Sequence, residues 1–110
     1  MRVILMLRPQ KKFLEPWIPE TSKTFLEELH KEISENHILY GADLDVIARR
    51  EDKDEVLYQY KANPDKCVQV HLTWKMDKEI DSKWPKTREF NSFDDWVNEV
   101  MLIDNKEYEE

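Results

Sequence analysis

The chain has 110 residues, of which 37% are charged and 40% hydrophobic, and its formal net charge is −7. This length predicts one domain over residues 1–110, and four Trp, four Tyr and four Phe supply enough core-forming side chains to exclude a disordered chain. Because Gly41 is the only glycine, the sequence lacks both the glycine-rich loops that cradle phosphates and the G-x-S-x-G turn of serine hydrolases.

The first forty residues predict a short strand and then a helix. The apolar run Val3–Leu7 is read as a short strand or a buried lead-in, and it is too short for a signal peptide or a membrane span. An irregular, proline-rich segment follows. Beyond it, apolar side chains at spacings of three and four predict an amphipathic helix from about Thr21 to Glu35. The members of this apolar stripe are Phe25, Leu26, Leu29 and Ile33. The candidates for its N-cap are Thr21, Ser22 and Thr24.

Residues 42–74 change to a period of two, which is typical of β-strands. Three runs, Asp43–Arg50, Glu55–Tyr60 and Cys67–Trp74, predict an antiparallel meander joined by the polar connections 51–54 and 61–65. In the first run the alternation places Leu44, Val46 and Ala48 on one face. In the third it places Val68, Val70, Leu72 and Trp74 on the apolar face.

A second helix is predicted near the C-terminus. Ser92 with Asp95 matches a capping pattern, and the helix is expected to continue to about Asn105. The side chains expected on its apolar face are Phe93, Trp96, Val97, Val100, Met101 and Ile103. The predicted fold class is therefore α+β, with an antiparallel three- to four-stranded meander packed against two amphipathic helices in two layers.

The single cysteine, Cys67, allows no internal disulfide, and a reducing cytoplasm is the expected location. Cys67 and His71 share a strand face, but four residues of strand span about 13 Å, too far for both to bind one zinc ion. The carboxylates of Glu51–Glu55 lack the glycine and the glutamate that an EF-hand calcium loop requires. We therefore predict no metal site and no cofactor.

Three residues are predicted to form a binding site: His71, Thr73 and Trp84. His71 and Thr73 share an unusually polar strand face, which is either simply solvated, a recognition surface, or the place of a catalytic histidine. No serine or cysteine has a sequence context that supports a nucleophile, so no catalytic residue is assigned.

Trp84 lies in the long polar stretch between the third strand and the second helix, directly before Pro85. Such an aromatic residue either pins its loop onto the core or anchors a partner. We predict the first, with a largely buried indole whose N–H has an acceptor.

Several short stretches together resemble a group of short bacterial proteins of uncharacterised function. The stretches are Tyr40-Gly41, Asp54-Glu-Val-Leu-Tyr58, Val70-His-Leu-Thr-Trp74, Trp84-Pro85 with Thr87, and the helix start at Ser92. The shared features are a strand reading H-L-T-W and a following W-P, and the resemblance covers residues 37–110. It implies no activity and no catalytic residue.

Charge and motifs together favour a small cytoplasmic protein-binding module over an enzyme. Residues 90–110 carry seven acidic side chains against Lys106 alone, which disfavours nucleic acid and suits a basic protein partner, as in an immunity-type, toxin-neutralising protein. The alternative is a small enzyme or ligand-binding domain that uses the His71 face. A third hypothesis is a homodimer formed through an uncovered sheet face carrying Ile47, Leu57 and His71. No membrane association is expected.

Overall fold

A computed structural model describes residues 11–74 and 83–109 of the chain, and the predicted strand Val3–Leu7 lies outside these ranges. Five antiparallel strands form one sheet in the order β1-β2-β3-β4-β5. The strands are β1 (Trp17–Pro19), β2 (Leu44–Arg50), β3 (Glu55–Tyr60), β4 (Asn63–His71) and β5 (Lys86–Phe90). The helices are α1 (Lys23–Glu32), α2 (Phe93–Trp96) and α3 (Leu102–Glu109), and a π-helical segment, Val97–Met101, joins the last two. Residues 93–109 thus form one continuous C-terminal helix.

The α+β class is confirmed, but the sheet has five strands where three to four were predicted. The edge strand β1, which was not predicted, is only three residues long. The chain passes through α1 before it forms β2, the strand with which β1 pairs. Three residues cannot establish a period of two, so the proline-rich sequence gave no sign of it.

The predicted two-layer arrangement is also wrong, because the helices lie on opposite faces of the sheet. One core lies on the face next to α1 and contains Leu29, Ile33, Leu39, Leu44, Val56, Tyr58, Val68, Val70 and Leu72. The other lies under the C-terminal helix and contains Trp17, Ala48, Leu57, Cys67, Phe90, Trp96, Val100 and Met101. Leu57, expected on an uncovered face available for dimerisation, is fully buried in this second core.

A β-bulge in β2 explains how one strand serves both cores. Val46 pairs with Tyr58, whereas Ala48 pairs with Leu57, and the register shifts between them. The extra residue turns Ala48 to the face opposite Val46. The prediction that both share one face is therefore wrong.

Helix α1 begins after Ser22, whose side chain accepts a hydrogen bond from the Thr24 N–H, so Ser22 is the N-cap among the three candidates. The helix ends earlier than predicted because Ile33 takes an extended conformation. Ile33 still packs in the α1-side core, so the apolar stripe itself is confirmed.

The C-terminal helix begins at the predicted cap, where Ser92 accepts a hydrogen bond from the Asp95 N–H at 3.1 Å. Its π-helical segment adds one residue to a turn, so Val100 and Met101 are both buried. This shifts the helical phase beyond it: Ile103, expected in the core, is exposed, and Asp104 lies towards the sheet.

Strand β4 begins at Asn63, within the connection expected at residues 61–65, and ends at His71. Trp74, predicted to lie on the apolar strand face, instead follows the strand and is 37% exposed. Its backbone is in the left-handed region with φ of 55°.

Candidate functional site

A groove of about 340 Å³ lies where β4 ends and β5 begins. We call it the His71 groove; its lining includes Glu55, Gln69, His71, Trp84, Lys86 and Arg88. It lies on the sheet face that carries the C-terminal helix. Along β4 on that face Cys67 is buried, Gln69 half-buried and His71 exposed, so the helix covers one end of the strand and leaves the other open.

A chain of hydrogen bonds runs from the core into this groove. The buried Trp96 indole N–H donates to Gln69 Oε1 at 2.9 Å, and Gln69 Nε2 donates to Glu55 Oε1, also at 2.9 Å. The other oxygen, Glu55 Oε2, lies 2.5 Å from His71 Nδ1. Both oxygens of Glu55 are therefore engaged, which holds the imidazole of His71 in one orientation.

The contact with Glu55 also determines what His71 can do. With an ionised Glu55 as acceptor, Nδ1 carries the proton, and Nε2 of the neutral ring is an acceptor or a base. No described residue makes a hydrogen bond to Nε2. A neutral His71 thus offers an acceptor to the groove, and a protonated one offers a donor.

Trp84 and Lys86 form the opposite wall of the groove. Trp84 is 36% exposed, so the prediction that it is largely buried is wrong, and no described residue accepts a hydrogen bond from its indole N–H. The Lys86 ammonium lies 5.1 Å from the centre of the Trp84 ring, a cation–π contact, and no carboxylate of the described chain pairs with it. The wall therefore presents an aromatic surface beside an unpaired positive charge.

Arg88 completes this wall from the next residue on the same face of β5. Its guanidinium lies 4.7 Å from the centre of the Phe90 ring and donates to Glu99 at 2.8 Å. The Arg88–Glu99 pair is more than half exposed on both sides, so it contributes little to stability and is open to exchange of partners.

Thr73, predicted to share the site with His71, lies elsewhere. Its backbone N–H and that of Trp74 donate to the two carboxylate oxygens of Glu32, at 2.9 and 2.8 Å. Glu32 is fully buried on α1, on the other side of the sheet. The structure therefore brings His71 and Trp84 together and separates Thr73 from both.

Cys67 shares the strand face of His71 but has no reactive character. Burial raises the pKa of its thiol to about 12, so it stays protonated near neutral pH. Within the described ranges no cluster of three or more His, Cys, Asp or Glu side chains is arranged to hold a metal ion.

Glu55, Lys86 and Arg88 were not singled out from the sequence. A signal for Glu55 existed, because an antiparallel hairpin of the second and third runs pairs Glu55 with His71. No comparable signal existed for Lys86 and Arg88, since their stretch has no apolar alternation that identifies a strand.

Comparison with protein-family models, with curated proteins and with solved structures found no match to this chain. The resemblance to short bacterial proteins stays a prediction. No helix in the described part of the chain combines the length and the hydrophobicity needed to cross a bilayer.

Proposed function

We propose that the protein is a small non-enzymatic recognition module that binds another protein through the His71 groove. The observation that carries this proposal is the exposed Trp84 indole beside the Lys86 ammonium, which pairs with no carboxylate of the described residues. Exposed tryptophan side chains are typical of binding hot spots, because they bury much area at little conformational cost.

The charges of the groove favour an acidic segment on the partner. Lys86, Arg88 and, when protonated, His71 are basic, whereas Glu55 is the acidic residue of the lining and is already hydrogen-bonded. A docking carboxylate would find two or three donors there, and the one carboxylate among the described lining residues is already hydrogen-bonded. The net charge of −7 leads us to expect a basic partner as well. Such a partner would bind the acidic remainder of the surface, and it stays a prediction.

The shape of the groove favours a protein segment over an enclosed small molecule. Small-molecule sites are mostly apolar and bury most of the ligand surface. The His71 groove is instead open, with exposed walls at Trp84 and Lys86 that would leave much of a small ligand in solvent. Such an open site accepts one or two side chains of a larger partner.

Selection from a library of random short peptides tests this proposal, with the purified chain as bait. We expect the enriched peptides to be richer in Asp and Glu than the unselected library. Trp84→Ala and Lys86→Glu should each weaken a selected peptide about tenfold, equivalent to about 1.4 kcal/mol. Lys106→Glu makes the same charge change on the exposed end of α3 and is the matched control. No enrichment, or equal weakening by Lys106→Glu, would contradict the proposal.

An immunity-type role is a narrower version of the same proposal. It requires that the partner be a toxin and that binding through the groove block its action. The test is growth rescue when a toxin encoded beside this chain is expressed together with either the native chain or the Trp84→Ala, Lys86→Glu double variant. Rescue by the native chain alone supports the role, and equal rescue by both removes the groove from it.

The hydrogen bond between His71 and Glu55 favours a second candidate, general-base catalysis. A carboxylate that orients imidazole Nδ1–H leaves Nε2 able to take a proton from a bound water or hydroxyl group. The test is hydrolysis of an activated ester, p-nitrophenyl acetate, by the native chain and by His71→Ala and Glu55→Gln. His30→Ala removes another exposed histidine and is the control. Equal rates in all four proteins would dispose of this candidate.

A further inference from the structure

Among the described residues, strand β5 is an edge of the sheet. Lys86–Phe90 pairs with β4 on one side, and no other strand of the described chain lies beside it. Its further contacts are with the start of the C-terminal helix. An open edge leaves alternate backbone N–H and C=O groups without strand partners, which makes it a template for an added strand.

Grooves lie on both sides of this edge. The His71 groove lies on the face of the C-terminal helix. A second groove, of about 430 Å³, is lined by Asn36, His37, Ile38, Lys83, Lys86 and Thr87. The two grooves share Lys86 and Thr87, so they meet at the beginning of β5.

The second groove has a fixed outer wall. His37 is buried; its Nδ1 accepts from the Leu39 N–H at 3.0 Å, so its Nε2–H donates to the Pro85 carbonyl at 2.8 Å. This bond ties the loop after α1 to the residue that precedes β5. The next side chain, Ile38, is 67% exposed and offers an apolar contact beside the edge.

The two sides of the edge differ in chemistry. Lys86 and Arg88 pair with His71 and Gln69 across the ladder and share their face. Thr87 pairs with the buried Val70 and points to the face on which Ile38 lies. A strand added to β5 would therefore place alternate side chains against the basic groups on one face and beside Ile38, Thr87 and Glu89 on the other.

We propose that the partner binds as an extended segment that adds a sixth strand to β5, with acidic side chains in the His71 groove alternating with apolar side chains beside Ile38. Backbone hydrogen bonds along β5 supply affinity, and the two grooves supply specificity. This inference rests on the proposed recognition function and specifies how the partner binds.

A second copy of this chain fits the same edge poorly. Two β5 strands paired with each other so that Arg88 lies opposite Arg88 would bring Lys86 and Arg88 of both copies to one face of the extended sheet. Like charges on neighbouring strands are destabilising. An acidic partner segment has the complementary charge.

The experiment compares two capped synthetic peptides of identical composition, one with strictly alternating Glu and Val and one with the Glu and Val residues in separate blocks. Binding is measured by calorimetry, and the amides of β5 are followed by hydrogen exchange. A third peptide carries N-methyl groups on alternate amides of the alternating sequence. We expect the alternating peptide to bind at least about tenfold more tightly than the block peptide. N-methylation should abolish its binding, and alternate amides of Lys86–Phe90 should become protected in the complex.

Lys86→Glu tests the charged face, with Lys106→Glu as control, and Ile38→Asp tests the apolar face. Both groove variants should weaken the alternating peptide about tenfold or more. Strand addition would be overturned if all three peptides bound equally and hydrogen exchange changed at His71 and Trp84 but not at the amides of β5. That outcome would leave the recognition function standing. Failure of every acidic peptide, including those from the library, would overturn both. If sedimentation shows a dimer, and the β5 amides are protected without any peptide, the occupant of this edge is a second copy of the chain. That result would overturn the inference.

Discussion

Glu32 is the residue whose environment differs most from what its type suggests. A glutamate on a surface helix is ordinarily solvated, yet this side chain is fully buried among apolar residues. Burial, followed by a hydrogen bond with Glu28, raises the pKa of its carboxyl from 4.5 to about 7, although the N–H groups of Thr73 and Trp74 oppose the shift. The carboxyl thereby attaches α1 to the chain that leaves β4.

This raised pKa predicts a pH dependence of stability. The folded state holds the proton of Glu32 more tightly than the unfolded state, so between about pH 4.5 and 7 the native protein binds more protons. The stabilisation by this group is complete below pH 4.5 and is lost as the pH rises through about 7. Urea unfolding across this range should show the free energy of unfolding falling with pH.

Glu32→Gln should flatten that slope, because the amide does not titrate, even if the variant is less stable at every pH. Glu27→Gln, which changes an exposed glutamate of the same helix, is the control and should keep the slope. A slope that persists unchanged in Glu32→Gln would assign the pH dependence to another group.

The exposure of Trp84 predicts a small effect on stability. With 36% of the residue exposed and no acceptor for its indole among the described residues, Trp84→Ala should lower the free energy of unfolding by about 1 kcal/mol. The same change at the buried Trp96, which also loses a hydrogen bond to Gln69, should cost about 3–5 kcal/mol. Thermal melts of the two variants make the comparison, and similar midpoints would show that Trp84 has a structural role.

Among the elements, the C-terminal helix has Ser92 as its N-cap, and Asp65 Oδ1 also accepts a hydrogen bond from the Phe93 N–H at 3.2 Å. Ser92→Ala removes the acceptor for the Asp95 N–H and should destabilise the protein by about 1 kcal/mol. Ser92→Asp keeps a capping oxygen and should restore most of the loss. Chemical denaturation measures both, and a Ser92→Asp protein as unstable as Ser92→Ala would argue against capping as the cause.

Two irregularities within elements determine which side chains face the cores. The bulge in β2 moves Ala48 to the second core, and the π-helical segment replaces Ile103 by Asp104 on the inner side of its helix. Both features insert one residue into a regular period. Periodicity places side chains correctly up to such an insertion and one position out of phase after it.

At the scale of the whole molecule, the N-terminal strand and the C-terminal helix are joined through Asp104. Its Oδ2 accepts from the Trp17 indole N–H at 2.8 Å and lies 3.3 Å from an Arg50 nitrogen. Trp17 also packs edge-on against Trp96, with ring centres 4.9 Å apart. The two ends of the described chain are thereby held against the same face of the sheet.

Asp104→Ala should cost about 1–3 kcal/mol, because it leaves the donor of the buried Trp17 without a partner. Asp104→Asn keeps an acceptor oxygen and should cost less. Glu107→Ala, an exposed site on the same helix, should change stability little. Urea denaturation ranks the three variants, and equal effects of Asp104→Ala and Glu107→Ala would contradict this account.

The sequence by itself determined the α+β class, the apolar stripe of α1, the N-cap at Ser92 and the place of His71 on a strand. These are local properties, because caps depend on side chains three residues apart and periods extend over one element. The tertiary structure alone decided which helix covers which face, that Thr73 joins Glu32 instead of His71, and that Lys86 and Arg88 complete the groove. Those outcomes depend on contacts between residues far apart in the chain, on two inserted residues and on where the C-terminal helix stops covering β4. A pattern within one element contains no information about any of these.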